Sequence, residues 1–411
     1  MNSMLQFYGY VYARTGYGSA ARNYVKAFDA AGINLSVVSL DSRPRPGEAG
    51  ARLEQLRDRP GDPTLHLWHT EPNHLQRLSG YDPRLAVMTT WEADRLPQCY
   101  VEALNRAREV WVPCHYNQEN FRQQLQVPVY RLPHPVTPMV APRYDRAAFD
   151  REMNLPAGSF VFVAAGTWQE RKNLDGIIEA FLRAFPQEPD VLLLIKTNFA
   201  FTSEELARRE IHAAIARANP PSPDQLEKRV RIFPLTWPED CLASLMQRAD
   251  CFVSLHRGEG WCYPLFDAAA KGTPTISTAH SGPLDYLDAR RHRLVEYKLT
   301  AANQREHTFR FAFDSTMQWA EPNLEHATAC MREVYEKRTQ AKADAVAAAC
   351  VIQQNYSLQA IGQQARAHLL ELEAVSLARL LPQTLAKAPA ACTVTTPGRV
   401  SDSPWQPSFC S

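Results

Sequence analysis

The chain has 411 residues, a formal net charge of +1 and 45% hydrophobic residues, a length that exceeds one ordinary core and suits two domains of roughly 150–200 residues with a remainder. Near-zero charge proposes no nucleic-acid partner, and no apolar run is long enough to span a bilayer. The nine cysteines include no C-x-x-C pair, which fits reduced thiols better than a disulfide framework or a zinc site.

Strand-like runs alternate with helical ones almost throughout, the pattern of parallel sheets wound with helices. The first set is strand 5–13, a turn at Gly16-Tyr17-Gly18, helix 19–31, strand 34–40 and an Arg/Pro-rich loop around 42–50. Strands 64–69 and 85–90, helix 98–107, strand 109–113, helix 117–125 and strand 129–132 follow. A proline-interrupted stretch from Pro133 to Pro156 reads as a connector. The second set is strand 160–165, helix 173–185, strand 191–196, helix 203–218, strand 230–233, helix 238–248, strand 251–255, a helix opening at Pro264, strand 273–277 and a short helix near 283–288. Beyond Asn323 two helices, 324–354 and 360–376, are separated by Asn355-Tyr356-Ser357, and the segment from Pro382 to Ser411 reads as disordered. The divisions expected are 1–150 and 151–350 for two Rossmann-like, doubly wound domains facing a cleft, 351–380 for a last helix and 381–411 for a tail. Met1 to Tyr12 lacks the basic-then-apolar layout of a signal peptide, so a cytoplasmic location is expected.

One segment looks built around a ligand. Leu255-His256-Arg257-Gly258-Glu259-Gly260-Trp261-Cys262-Tyr263 is a glycine-bounded loop carrying an acid; Pro264 opens a helix, Asp267 lies one turn in, and Gly272 ends it. Helical side chains lean toward the N-terminus, so Asp267 points back toward the loop of Glu259. Helix-start amides attract phosphate, and two acids suit sugar hydroxyls; the combination suggests a sugar nucleotide. Asp267 is equally a first-turn acid favoured by the helix dipole. Cys251 and Cys262 read as small buried hydrophobes.

The segment resembles the signature of retaining GT-B-fold glycosyltransferases of family 4, or group 1, in which two glutamates with seven residues between them precede an Ala-rich helix and a Gly-x-Pro strand start. This chain has Asp267 at the second glutamate, a carboxylate ~1.5 Å nearer the backbone. The resemblance implies a GT-B fold with C-terminal helices crossing back to the first domain. It also implies transfer of a hexose from a nucleoside diphosphate sugar to an acceptor hydroxyl with retention, in surface glycan or oligosaccharide synthesis. Glu259 would hold sugar hydroxyls and Asp267 the ribose, with Gly258, Gly260, Trp261, Cys262 and Tyr263 around the donor.

Other constellations follow strands and so face the cleft. Gly166 to Asn173 carries Arg171 and Lys172, adjacent cations at a helix start with no acid cluster nearby in sequence to compensate them; they suit the two phosphates, and the resembled family shows such a pair. Gly16 and Gly18 serve either strand-to-helix packing or, by resemblance, approach to donor phosphates; Arg22 faces the cleft or water. Glu92 and Thr90, with His69 at the preceding strand end, are expected acceptor contacts, and Asp94 and Arg95 a solvated loop. No Asp-x-Asp occurs, so no metal or other cofactor is expected and Arg171, Lys172 and amides would neutralise the diphosphate. The expected partners are a nucleotide sugar and a glycan, lipid-linked or small-molecule acceptor. Arg43-Pro44-Arg45 and Arg290-Arg291-His292-Arg293 are candidates for peripheral membrane contact or solvated surface. Alternatives from other classes are a nucleotide-sugar epimerase on the same scaffold and a catalytically silent nucleotide-sugar-binding partner of another transferase.

Overall fold

The structure, a computed structural model, describes residues 3–41, 50–71, 74–75, 80–138, 140–200, 202–219, 226–302, 313 and 316–380. Arg43-Pro44-Arg45 and the tail 381–411 lie outside the described residues.

The first half builds β1 (Met4–Gly9), α1 (Gly16–Ala30), β2 (Leu35–Ser39), α2 (Ala51–Leu56), β3 (Pro63–His69), β4 (Asp82–Met88), α3 (Gln98–Leu104), β5 (Ala107–Val112), α4 (His115–Arg122) and β6 (Val129–Arg131). Its strands form one parallel sheet in the order β2-β1-β3-β4-β5-β6. After α5 (Arg146–Glu152) come β7 (Phe160–Ala165), α6 (Leu174–Ala184), β8 (Val191–Lys196), α7 (Glu204–Ala218), α8 (Leu226–Arg229), β9 (Val230–Phe233), α9 (Glu239–Arg248), β10 (Cys251–Ser254), α10 (Tyr263–Ala270), β11 (Thr275–Thr278) and β12 (Arg293–Val295). These strands form a second parallel sheet, β12-β11-β10-β7-β8-β9. Its central strands read as continuous apolar runs, Phe160–Ala165 and Val191–Lys196, because helices cover both faces. Strand order reverses between β7 and β10, and the crevice at such a switch point is where open α/β sheets bind ligands.

The chain ends in α11 (Leu324–Glu336), α12 (Arg338–Asn355) and α13 (Leu358–Leu380). Helix α13 crosses back onto the first sheet's layer: Ile361, Ala365 and Leu369 join the core of Phe7, Tyr24 and Phe28. The helices approach so closely that a Cβ on Gly362 would stand 2.1 Å from the Ala27 carbonyl oxygen. As expected, Ser357 caps α13, its hydroxyl accepting from the Ala360 N–H at 3.1 Å.

Several expectations need correction. Gly16-Tyr17-Gly18 is the first turn of α1 rather than a loop, because the Thr15 side chain caps the helix by accepting from the Gly18 N–H. The connector contains α5, capped by Asp145 through the Ala148 N–H at 2.7 Å. Pro264 is the second residue of α10, after Tyr263. The long helix from 324 breaks at Lys337, since α11 packs on α6 while α12 packs on α10. An antiparallel hairpin, β13 (Tyr297–Ala301) with β14 (Gln318–Pro322), was not anticipated. It carries Ala302, Phe313, Met317 and Trp319 into the first domain's core beside Leu85, Trp91 and Leu96. The Asp94 carboxylate accepts from the Gln318 N–H at 2.6 Å, so the loop of Asp94 and the exposed Arg95 also meets this hairpin.

Candidate functional site

The loops that follow β7 and β10 leave the sheet on either side of the strand-order reversal, and this brings Arg171, Lys172 and Glu259 together. The Lys172 ammonium contacts Glu259 Oε1, Arg171 Nη1 lies 3.2 Å from Glu259 Oε2, and Arg171 Nη1 also donates to the Gly258 carbonyl at 2.6 Å. From the first domain, Glu92 Oε1 approaches Arg171 Nη2 at 3.4 Å. Two cations and two carboxylates thus meet where the domains touch. The premise that Arg171 and Lys172 lack compensating acids is corrected: Glu259 and Glu92 lie 88 and 79 positions from Arg171 in sequence, invisible to local reading.

Glu259 is 4% exposed. Burial pushes its carboxyl up, but Lys172 and Arg171 outweigh that and hold it down to about 2. Glu92 is pushed up, first by burial and then by Glu259, with Arg171 opposing. Glu71, on the same side of the first domain, is raised to about 7 by burial and by Glu92. One acid after a strand, as Glu71 is after β3, carries no local signature in sequence.

The glycines flanking Glu259 face the other domain. A Cβ on Gly258 would stand 1.9 Å from the Glu92 carbonyl oxygen, and one on Gly260 would stand 1.6 Å from Thr90 Oγ1. Glycine at both positions admits the first domain where a Cβ would not fit. Gly18 likewise accommodates the Ala13 carbonyl, 1.9 Å from its would-be Cβ, whereas Gly16 has open space around it. Arg22 reaches across to the Glu239 carboxylate at 3.0 Å, joining α1 to α9.

Asp267 does not join the Glu259 cluster. It faces Thr137 of the connector, and burial raises its carboxyl to about 6 against the opposing pull of Lys271 and Thr137. Its Oδ1, like Trp261 Nε1 and His134 Nδ1, is buried without a hydrogen-bond partner. The Trp261 and Tyr263 rings lie 5.4 and 4.9 Å from the ring of His134. Cys262 opens α10 at φ 66° with no side-chain cap, leaving the first-turn amides uncapped. Both Cys262 and Cys251 are buried and free.

The raised Asp267 carboxyl has a measurable consequence. Between about pH 4, near its ordinary value of 3.8, and about pH 6, the unfolded chain releases a proton that the folded chain keeps; stability from this group therefore falls as pH rises through that window. Glu259 behaves oppositely: its contribution is complete above 4.5 and is lost as pH falls toward 2. We expect Asp267→Asn to melt a few degrees above native at pH 7.5 and to match it at pH 4, by thermal unfolding. An equal offset at both would show that Asp267 does not titrate in that window.

Of the acceptor residues expected from sequence, Thr90 and Glu92 both abut the glycines that flank Glu259, while His69 is enclosed in the first domain. His69 is 2% exposed, enclosed by Phe7, Tyr17 and Tyr24, with its pKa lowered by burial to about 3. Thr90 donates to Asn117 Oδ1 at 2.7 Å and abuts Gly260. Only Glu92 meets the cation cluster. His256 sits behind the loop, between Ser254 Oγ at 3.1 Å and the His280 carbonyl at 3.2 Å. Arg257, which by its place beside Glu259 could flank the donor, binds Glu321 of β14 at 2.6 Å, and its N–H donates to the Arg171 carbonyl at 2.7 Å. In the basic run at 290–293, Arg290 and Arg291 lie on the surface beside Asp288, Arg293 contacts Glu333, and His292 is buried. Among the described residues, no helix is long and apolar enough to cross a membrane, and no group of three or more His, Cys, Asp or Glu could hold a metal ion.

Comparison with known proteins bears on this geometry. Sucrose-phosphate synthase from Thermosynechococcus elongatus superposes with a TM-score of 0.63 at 15% identity, over 91% of this chain and 100% of that one. Anabaena HepE, solved with UDP and glucose, gives 0.61 at 14% over 90% and 100%. A glycosyltransferase from Rickettsia africae gives 0.61 at 10% over 90% and 98%. At such identities the likeness is one of fold. No curated protein matches the sequence. Residues 145–304, which include Arg171, Lys172, Glu259 and Asp267, match the family described as glycosyl transferases group 1. Residues 145–304 are thus similar to group 1 glycosyl transferases, and the chain as a whole has the two-domain GT-B fold.

Proposed function

We propose that this protein is a retaining hexosyltransferase that takes its sugar from a nucleoside diphosphate and delivers it to an acceptor hydroxyl without a metal ion, in the assembly of a surface glycan or oligosaccharide. The observation that carries the reading is the meeting of Arg171 and Lys172 with Glu259 at the switch point, beside the uncapped start of α10. Anion binding is favoured at that helix start. HepE, of the same fold, has been solved with UDP-glucose.

In this reading Glu259 holds the sugar hydroxyls, Asp267 the ribose, and Arg171 with Lys172 the leaving diphosphate. Held by Glu259, the cations are oriented before the donor arrives. At ~4 Å and an effective dielectric of ~20, one cation–phosphate contact is on the order of 4 kcal/mol before desolvation. If it strengthens as charge builds on the leaving phosphate, it supplies up to about three decades in rate. Departure and attack on one face would let a phosphate oxygen take the acceptor proton, so no protein base is assigned. On the acceptor side the reading assigns Glu92, which lies beside Arg171.

The test is a thermal-shift panel of nucleotides and nucleotide sugars, followed by acceptor-dependent release of nucleoside diphosphate. A ligand at a hundred times its Kd should add ~2.7 kcal/mol of stability. Nucleotide release without an acceptor requirement would contradict transfer to a hydroxyl. Tight binding with no sugar consumed across an acceptor panel would favour the silent-partner alternative.

A further inference from the structure

Ser281 sits where glycine would be expected. Its backbone is at φ 60°, ψ −147°, close to a region that side chains other than glycine's rarely occupy, and the residue is 3% exposed. Such a conformation persists only where the surroundings impose it.

The surroundings are the Glu259 loop. The Ser281 hydroxyl accepts from the Glu259 N–H at 3.0 Å, and the next residue, Gly282, donates its N–H to the Glu259 carbonyl at 2.9 Å. Both backbone polar groups of Glu259 are therefore held by consecutive residues of one strained loop. The contact is tight: a Cβ on Gly282 would stand 2.3 Å from the Gly260 carbonyl oxygen. The loop is anchored further on, where Tyr286 donates its hydroxyl proton to the Trp261 carbonyl at 2.8 Å. Asp285 meets Arg131 and His115 of the first domain at 3.1 and 3.0 Å. Glycine would fit this backbone without strain but would offer the Glu259 N–H no acceptor.

We propose that Ser281 is a positioning residue, whose hydroxyl fixes the Glu259 peptide and so sets where the Glu259 carboxylate meets the transferred sugar, at the expense of a strained backbone. The inference rests on the reading of Glu259 as the sugar-holding carboxylate. It separates two consequences that a purely structural serine would not: stability follows the backbone, and turnover follows the hydroxyl.

The experiment compares Ser281→Gly, Ser281→Ala and Glu259→Gln in the full chain, measuring melting temperature together with kcat and donor KM on the nucleotide sugar that the native protein consumes. Ser281→Ala keeps the strain and loses the acceptor; Ser281→Gly loses both. We expect Ser281→Gly to melt at least about 2–4 °C above Ser281→Ala. Both variants should lose kcat by roughly 10–100-fold with donor KM changed less than about threefold, the signature of an interaction that matters in the transition state. Ser281→Gly melting at or below Ser281→Ala would overturn the strained-backbone assignment. Native kcat in Ser281→Gly beside an inactive Glu259→Gln would remove the proposal alone. Native turnover in Glu259→Gln would remove the underlying reading and the proposal with it.

Discussion

Glu259→Ala should lower turnover by about 10³-fold, on the order of 4 kcal/mol of transition-state stabilisation. It should also lower stability, because Glu259 is buried and its carboxylate neutralises both Lys172 and Arg171. Removing one member of a buried ion pair leaves uncompensated charge, an effect of about 3–5 kcal/mol. Lys172→Ala should lose turnover comparably but stability less, since Arg171 still faces Glu259 and Glu92. The two also differ with ligand. Glu259→Ala should keep the thermal shift given by the nucleoside diphosphate alone and lose the increment added by the sugar, whereas Lys172→Ala should lose the diphosphate's own shift. Turnover within a few-fold of native in either variant removes that residue from the proposed machinery.

Gly258→Ala should be nearly as damaging for a different reason. The new Cβ would lie 1.9 Å from the Glu92 carbonyl oxygen and 3.0 Å from its carbonyl carbon, backbone atoms that no rotamer change moves aside. The domains must then part at this point, and Glu92 separates from Arg171. We expect turnover to fall by at least about 10²-fold, as misplacement by an ångström commonly does. The melting temperature should fall far less than in Glu259→Ala, because each sheet keeps its own core. Gly260→Ala meets the Thr90 side chain at 1.6 Å and should be partly rescued by Thr90→Gly, a remedy that Gly258 lacks. Native activity in Gly258→Ala would show that close contact between these loops is not needed for the reaction.

The parallel, doubly wound architecture was legible because its signals are local and periodic. Apolar runs such as Val191–Lys196 between amphipathic helices, and caps such as Ser203 and Ser357, need only neighbouring residues to be recognised. The signature loop was legible for the same reason. The β13–β14 hairpin was not. Residues 297–301 and 318–322 pair across a long intervening segment, and their burial comes from Trp91 and Leu96 in the other domain. The break at Lys337 carries no glycine or proline and follows from α11 and α12 packing against different helices.

The same division applies within the site. Sequence alone determined which residues carry charge after β7 and β10, and that the loop holding Glu259 is bounded by glycines. It left open what those glycines serve. Only the tertiary structure decided that Gly258 and Gly260 admit the opposite domain, that Arg171 and Lys172 are already matched to Glu259 and Glu92, that Asp267 faces Thr137, and that Ser281 brackets Glu259. The physical reason is range. Periodicity, capping and helix dipoles act within one or two turns of chain, whereas these close contacts and charge pairs join residues tens to more than a hundred positions apart, and exist only once two sheets are folded and docked.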